Sequence, residues 1–263
     1  MTATFKQVIP AAFTDTSGPK LYPDFILNSG SKLLFDTSNP LCNALPVGAL
    51  TAGQTLANLV SGGAAATVAS STNPMVNNGS NLGISMAGVA ANGGEFNLGT
   101  GFSLYGTDHR FIALCWLKLN PTGQVTTNSN IFSLKNDVPN TLFAMDAGVG
   151  NIAPRVNANA QASSAYTTLA GFTPGAVQMI GVAWEPQGSG SVYHAVLNGA
   201  VQTSITQASP SLLVNTAAAS MVAGSSRFAG KLYDWYFEDL TLSGASVVNV
   251  VQREYALRAG VFA

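Results

Sequence analysis

The chain has 263 residues, a formal net charge of −1 and only 9% charged side chains, well below the share of about 25% in ordinary soluble domains. Small neutral residues replace the missing charges, so the surface costs little to desolvate. We expect it either to be covered by neighbouring proteins or to be an unusually neutral solvated surface. The lack of a basic block excludes electrostatic nucleic-acid binding, and the longest apolar run, residues 111–117, is too short for membrane insertion.

The first 75 residues predict an attachment region with few short strands. Residues 1–30 contain several prolines, show little periodicity and are predicted to form an extended arm. Their start lacks the charged and apolar segments of a Sec signal, so we expect synthesis in a cytoplasm. Residues 32–35 predict one short strand, residues 51–60 fit a helical turn or a strand, and residues 61–81 fit a loop, a linker or a weak edge strand. We therefore divide the chain into an arm, 1–75, and a domain, 76–263.

The rest of the chain shows short apolar or alternating runs between Gly, Asn, Pro and Ser, which predicts an all-β fold. Residues 110–119 and 177–184 are long and apolar enough to be central strands. Asn198-Gly199 is the strongest hairpin signal in the chain, because this pair accepts the positive φ angles of a tight turn. Further strands are predicted at residues 95–98, 130–134, 141–147, 192–197, 200–205 and 231–240.

The last predicted strand and the helix after it close the domain. In the strand at 231–240, alternation places Leu232, Trp235 or Tyr236, and Phe237 against the core, allowing one register slip at Asp234. Residues 247–259 predict a helix that begins at Ser243 or Ser246. Its apolar face is expected to carry Val247, Val250, Val251 and Tyr255.

Five segments occur in an order that is similar to one family. They are the strand FIALCWLKL with Trp116, the strand at 130–134, the strand ending at Trp184, the hairpin at Leu197-Asn198-Gly199, and the closing segment from Phe228 to Val247. Together they resemble laminin-G-like and concanavalin A-like lectin/glucanase domains. The resemblance implies an antiparallel concanavalin-like jelly-roll β-sandwich, here with an extended N-terminal arm and a short C-terminal helix.

Catalytic chemistry is not predicted. Enzymes with the fold that this chain resembles carry a pair of catalytic carboxylates on one strand. Here Asp234 and Glu238 would lie about 13 Å apart along their strand. That distance exceeds the separation of the two catalytic carboxyl groups in glycosidases. Glu238 and Asp239 point to opposite faces, so we expect this acidic group to form a solvated face or rim. His109 is expected in a turn and His194 as an ordinary alternating residue of a hairpin.

Binding sites are also sparse in the sequence. Asp137, Asp146 and Asn151 lie in or beside predicted loops, but no dense acidic motif accompanies them, so Ca²⁺ is the one cofactor considered and its ligands stay unassigned. The tryptophans Trp116, Trp184 and Trp235 are expected in the core, and Cys115 as a buried free thiol not bonded to Cys42. The carbohydrate-binding candidates are Tyr105, Tyr166 and Tyr193.

The arm, the neutral surface and the start of the chain are similar to those of tailed-bacteriophage virion proteins, such as tail fibres, baseplates, head fibres and capsid decorations. We therefore expect a non-enzymatic virion structural protein, made in the host cytoplasm, that forms a homo-oligomer and attaches to other virion proteins through its arm. The alternative is an adhesin module that binds a host surface glycan. A polysaccharide-degrading enzyme is the third hypothesis.

Overall fold

The protein is a β-sandwich of two antiparallel sheets. The computed structural model describes residues 24–69, 75–88, 94–100, 110–122, 129–135, 141–148, 151–157, 164–166, 169–187, 190–207, 220–223 and 228–262. In that part of the chain the strands are β1 (Ser31–Asp36), β2 (Gly48–Ala49), β3 (Thr55–Leu56), β4 (Ala66–Val68), β5 (Val76–Asn77), β6 (Ile84–Ala87), β7 (Phe96–Thr100), β8 (Phe111–Leu119), β9 (Ser129–Lys135), β10 (Thr141–Gly148), β11 (Asn151–Asn157), β12 (Ser164–Tyr166), β13 (Val177–Gln187), β14 (Gly190–Leu197), β15 (Ala200–Gln207), β16 (Ser220–Ala223) and β17 (Ala229–Asp239).

The first sheet has the order β15-β14-β13-β8-β17-β6-β5-β2, and β1 also pairs with β17. The second sheet has the order β12-β11-β10-β9-β16-β7-β4-β3. All pairings are antiparallel between the described strands, as the family resemblance implied. The predicted all-β sandwich is therefore confirmed.

The core lies between the two sheets and is rich in aromatic rings. Residues directly opposed in an antiparallel pair point to the same face, so Trp184 and Phe111 share the inner face of the first sheet. Trp235 reaches across the sandwich to Phe96 of β7, with ring centroids 5.7 Å apart in a T-shaped contact. Trp116, Trp184 and Trp235 are all buried, as predicted.

The last strand contains the register slip that the sequence pattern allowed for at Asp234, centred on the preceding residue. The pairing of β17 with β8 shifts between Leu232 and Asp234, so Tyr233 is the extra residue of a β-bulge. Beyond the bulge Trp235 faces the core, and Tyr236 points to the opposite side of the first sheet. We call that side, turned away from the second sheet, the outer face.

Residues 24–69 supply short strands to both sheets, and the strand predicted at residues 32–35 is β1. β1 pairs with β17 alongside β6, which occupies the other end of the same edge. β3 and β4 extend the second sheet beside β7. Attachment through residues 1–75 stays a prediction, and residues 1–23 lie outside the described residues.

Two helices follow β17 and cover one half of the outer face. α1 (Leu240–Ser243) begins at Asp239, whose carboxylate accepts hydrogen bonds from the backbone N–H groups of Thr241 and Leu242. α2 (Val247–Arg258) begins at Ser246, one of the two predicted caps. The predicted apolar face is confirmed: Val247, Val250 and Val251 are buried, and the ring of Tyr255 stacks on Trp116. Neither of these helices has the length and apolar character that crossing a membrane requires.

Both cysteines are buried free thiols. Burial raises the pKa of Cys42 to about 12 and that of Cys115 well above its usual value. Since the thiolate is the reactive form, both side chains behave as small apolar core residues.

Candidate functional site

The half of the outer face that α2 leaves uncovered forms a polar cleft of about 430 Å³, a volume typical of small-ligand sites. The cleft runs across the ends of β13, β14 and β15 to the residue that precedes β8. We call it the outer-face cleft and define it by Arg110, Glu185, Pro186, Gln187, Val192, His194, Ser204 and Thr206.

Strand register brings these side chains together. Glu185 opposes Val192, and Val192 opposes Thr206, so the three form one cross-strand row. His194 opposes Ser204 in the next row. Arg110 joins the first row because it precedes Phe111, which opposes Trp184 on the inner face.

A β-bulge sets the partner of His194. The pairing of β14 with β15 shifts between Ala195 and Val196, so that Ala195 opposes Thr203 whereas Val196 opposes Val201. Without this extra residue Thr203 would oppose His194. The bulge therefore places the Ser204 hydroxyl in the cleft.

A continuous network of hydrogen bonds links the polar side chains of the cleft. Nε of Arg110 donates to Oε1 of Glu185 at 2.8 Å, and Nη2 of Arg110 donates to the Ala245 carbonyl at 3.1 Å. Nε2 of His194 lies 3.0 Å from Oε2 of Glu185, and Nδ1 lies 2.8 Å from the Ser204 hydroxyl. Both oxygens of Glu185 therefore have partners within the protein.

The charge state of Glu185 follows from these contacts. The hydrogen bond from His194 is the largest cause that lowers the pKa of Glu185, and Arg110 lowers it further, against the opposing effect of burial. An ionised carboxylate can only accept hydrogen bonds. His194 therefore donates from Nε2, and its Nδ1 pairs with Ser204.

The network has features of both a catalytic site and a binding site. Ser204, His194 and Glu185 have the connectivity of a hydroxyl, a base and an orienting acid. However, Glu185 is shared with Arg110, whose guanidinium also contacts Oε1 of the carboxylate. Because hydrogen-bonding groups lie next to the apolar surfaces of Pro186 and Val192, the cleft suits a hydroxyl-rich ligand with apolar edges.

Of the predicted carbohydrate-binding residues, Tyr193 is in the core. Its side chain is 0% exposed on the inner face opposite Trp184, and burial raises its pKa. Alternation along β14 directs Tyr193 inward and His194 outward, so the tyrosine ring cannot stack on a sugar. Tyr166 ends β12, where it opposes Arg155, and Tyr105 lies outside the described residues.

The predicted solvated acidic face is wrong, because Asp234, Glu238 and Asp239 are all buried. Asp239 caps α1, as described above. Glu238 accepts hydrogen bonds from the Tyr236 hydroxyl at 2.6 Å and from the Asn28 amide at 3.1 Å. Asp234 and Glu238 do share the outer face, but α2 and residues 24–36 cover that half of it.

Asp234 belongs to a buried ionic group centred on one arginine. Arg258 lies within 3.0 Å of the carboxylates of Asp24, Asp36, Asp234 and Glu254, and we call these five residues the Arg258 cluster. Burial raises the pKa of Glu254 to about 7 and that of Asp234 well above its usual value. Glu254 also accepts a hydrogen bond from Nε1 of Trp116 at 3.0 Å.

Two of the calcium candidates lie on the paired strands β10 and β11. Asp146 lies within β10, Asn151 begins β11, and Asp137 lies outside the described residues. In the part of the chain that the structure describes, no group of three or more His, Cys, Asp or Glu side chains could hold a metal ion.

A second pocket, of about 240 Å³, lies between the end of α2 and the β14–β15 hairpin. Trp116 and Tyr255 line it with ring centroids 5.7 Å apart and planes 9° apart, so the two rings already stack on each other. This pocket offers fewer hydrogen-bonding groups than the outer-face cleft and is a weaker candidate for a polar ligand.

No protein-family model and no curated protein matches the chain. Among solved structures, it is similar to domain 4 of AbnA, an extracellular arabinanase of Geobacillus stearothermophilus, in complex with arabinotriose (TM-score 0.58, 12% identity, 85% of this chain and 97% of that one). It is also similar to the botulinum neurotoxin serotype D binding domain (0.55, 12%, 88% and 52%) and to Trypanosoma rangeli sialidase (0.57, 9%, 90% and 34%). The chain thus spans about half of the toxin domain and a third of the sialidase. At these identities the likeness shows the fold alone, a β-sandwich.

Proposed function

We propose that this protein is a non-enzymatic glycan-binding β-sandwich module whose saccharide site is the outer-face cleft. The observation that carries the proposal is the network of Arg110, Glu185, His194 and Ser204 beside apolar surface on an uncovered sheet face. Saccharides combine hydroxyl groups with apolar ring edges, and such a cleft matches both. The similar arabinanase domain in complex with arabinotriose supports the view that a sandwich of this shape can hold a saccharide.

The test is to measure binding of the full chain to a broad panel of neutral and acidic oligosaccharides and to bacterial surface polysaccharides. Arg110→Ala and His194→Ala are expected to weaken the binding that is found by about tenfold or more, since each removes a charge-assisted hydrogen bond. Lys231→Ala, on β17 outside the cleft, is the matched control and should bind as the wild type does. Blank panels, or affinity unchanged in both cleft variants, would overturn the proposal.

The non-enzymatic part of the proposal is tested on the same ligands. The bound saccharide should be recovered intact after prolonged incubation, with no release of reducing ends. Ser204 is the only hydroxyl that contacts His194 among the described residues, so Ser204→Ala is the variant in which any hydrolysis would disappear. Reducing ends formed by the wild type and not by Ser204→Ala would reverse the assignment.

A second function, assembly into a virion as a homo-oligomer, is favoured by a different observation. The three most exposed large apolar side chains among the described residues, Phe25, Val47 and Leu41, all lie in the predicted attachment region. Exposed apolar groups on a chain with 9% charged residues suit contact with neighbouring virion proteins.

Its test is the triple variant Phe25→Ser, Leu41→Ser and Val47→Ser, which removes these apolar side chains and keeps Asp24 and its ion pair with Arg258. The variant is expected to fold but to be missing from purified bacteriophage particles. Normal incorporation of the variant would contradict attachment through these side chains.

A further inference from the structure

We propose that the outer-face cleft selects neutral saccharides and that Glu185 excludes acidic ones. This inference rests on the glycan-binding function proposed above and specifies its ligand class. It follows from the position of Glu185, the only carboxylate among the residues that define the cleft, and from the contacts that Glu185 already makes with Arg110 and His194.

Glu185 lies between the two basic side chains of the cleft. Arg110 contacts Oε1 from the β8 side, and His194 contacts Oε2 from β14. Nη2 of Arg110 is a further 2.6 Å contact of the same Oε1. The carboxylate therefore neutralises the guanidinium inside the protein, and an approaching anion meets a compensated ion pair.

An acidic saccharide would bring a second carboxylate next to Glu185. To reach the guanidinium of Arg110, it would approach an oxygen that already lies within 2.8 Å of that group. Like charges at this range repel in a partly buried site, where solvent screening is incomplete. Glu185 is about three-quarters buried by its side-chain exposure of 27%, so the repulsion is retained.

A hydroxyl group meets no such conflict, because it donates and accepts. It can donate to a remaining lone pair of Glu185 and accept from Arg110, whose Nη1 has no partner among the described residues. Ser204, Thr206 and Gln187 add side chains that also both donate and accept.

These groups are spread out, which suits a row of hydroxyls better than one anion. Gln187 lies two residues from Glu185 on β13, about 7 Å along the strand, and Ser204 and Thr206 have the same spacing on β15. Two strand spacings, about 10 Å, separate β13 from β15 across the cleft.

The experiment compares oligosaccharides that differ only in charge: tetrasaccharides of galactose against galacturonic acid, and of glucose against glucuronic acid. Calorimetry on the full chain is expected to show that the neutral member of a bound pair binds at least tenfold tighter. Glu185→Gln should narrow this preference by about tenfold, mainly by improving the binding of the acidic member. Asn249→Ala, an exposed position on α2, is the control and should leave the preference unchanged.

Salt provides a second measurement that needs no variant. Repulsion between charges is screened by added salt, so the wild-type preference should shrink between about 0.05 and 1 M NaCl. A tighter acidic member, or a preference that neither salt nor Glu185→Gln changes, would overturn the inference and leave the glycan-binding function standing. No binding of any saccharide on the wider panel would overturn both.

Discussion

The outer face of the first sheet carries two ionic networks. They differ in how deeply they are buried and in the number of carboxylates that contact each arginine. In the outer-face cleft, one arginine meets one glutamate, and their side chains are 30% and 27% exposed. In the Arg258 cluster, one arginine that is 7% exposed meets four carboxylates. The difference arises because α2 lies over one half of the face and stops short of the other. Covered charges hold the structure together, whereas uncovered charges can exchange partners with a ligand.

The two regions also respond to pH with opposite signs. The pKa of Glu185 is lowered, so its contribution to stability is present above the pKa of the unfolded chain and is lost as pH falls through the folded value. The pKa of Glu254 is raised to about 7 by burial. Its contribution is complete below the unfolded value and is lost as pH rises through about 7.

Removing the central arginine from each network should give the largest difference between the two regions. Arg258→Met leaves four carboxylates in a buried site without their cation, and we expect a loss of about 3–5 kcal/mol in the free energy of unfolding. Arg110→Met at the partly exposed pair with Glu185 should cost about 1 kcal/mol or less. Urea denaturation of both variants measures the two losses in the free energy of unfolding. Equal losses would show that burial under α2 does not distinguish the two networks.

A smaller effect is expected from the proton that Glu254 binds. Between about pH 5 and 8 the folded chain holds this proton more tightly than the unfolded chain does, so the free energy of unfolding should fall as pH rises. The slope for one group is at most about 1.4 kcal/mol per pH unit. Urea midpoints measured across this range test the sign.

The matched variant for that experiment is Glu254→Gln. Its amide oxygen can still accept from Trp116 Nε1, but it carries no titrating proton, so the decline with pH should become shallower. Asp234 shifts in the same direction and should leave a residual slope. A wild-type midpoint that rises from pH 5 to 8 would contradict the balance of charges described for the cluster.

Strand positions could be predicted from the sequence because alternation and turn residues act locally. Asn198-Gly199 marks a hairpin, and β14 and β15 extend from it as expected. The cleft could not be predicted in the same way. If the regular pairing of the hairpin continued without a bulge, Thr203 would lie opposite His194. The bulge that instead brings in Ser204 has no local sequence signal that we can identify.

Burial of one half of the outer face was the other feature that could not be predicted from the sequence. Asp234 and Glu238 alternate along β17 as a solvated face would, and only the docking of α2 and of residues 24–36 makes that face an interior. β1 is six residues long, and its pairing with β17 joins positions about 200 residues apart. Such long-range partners are set by tertiary packing, so the local pattern predicted the strand at residues 32–35 but not its pairing with β17.

The smallest expected effects come from removing one hydroxyl in each region. Ser31→Ala in the covered half deletes one of the two side-chain partners of the Tyr236 hydroxyl, 2.9 Å away in a buried site, and should cost about 1 kcal/mol of stability. Ser204→Ala in the cleft should change stability by about 0.5 kcal/mol or less, since its site is open to water.

Saccharide binding should show the reverse order for the same two serines. Ser204→Ala removes the partner of His194 Nδ1 and should weaken binding a few-fold, while Ser31→Ala, once folded, should bind as the wild type does. Calorimetry and urea denaturation on both variants would give the four values. If Ser204→Ala lost stability and kept full affinity, the Ser204 hydroxyl would stabilise the fold and would not contact the ligand. The polar network of the cleft would then be structural, as the network under α2 is.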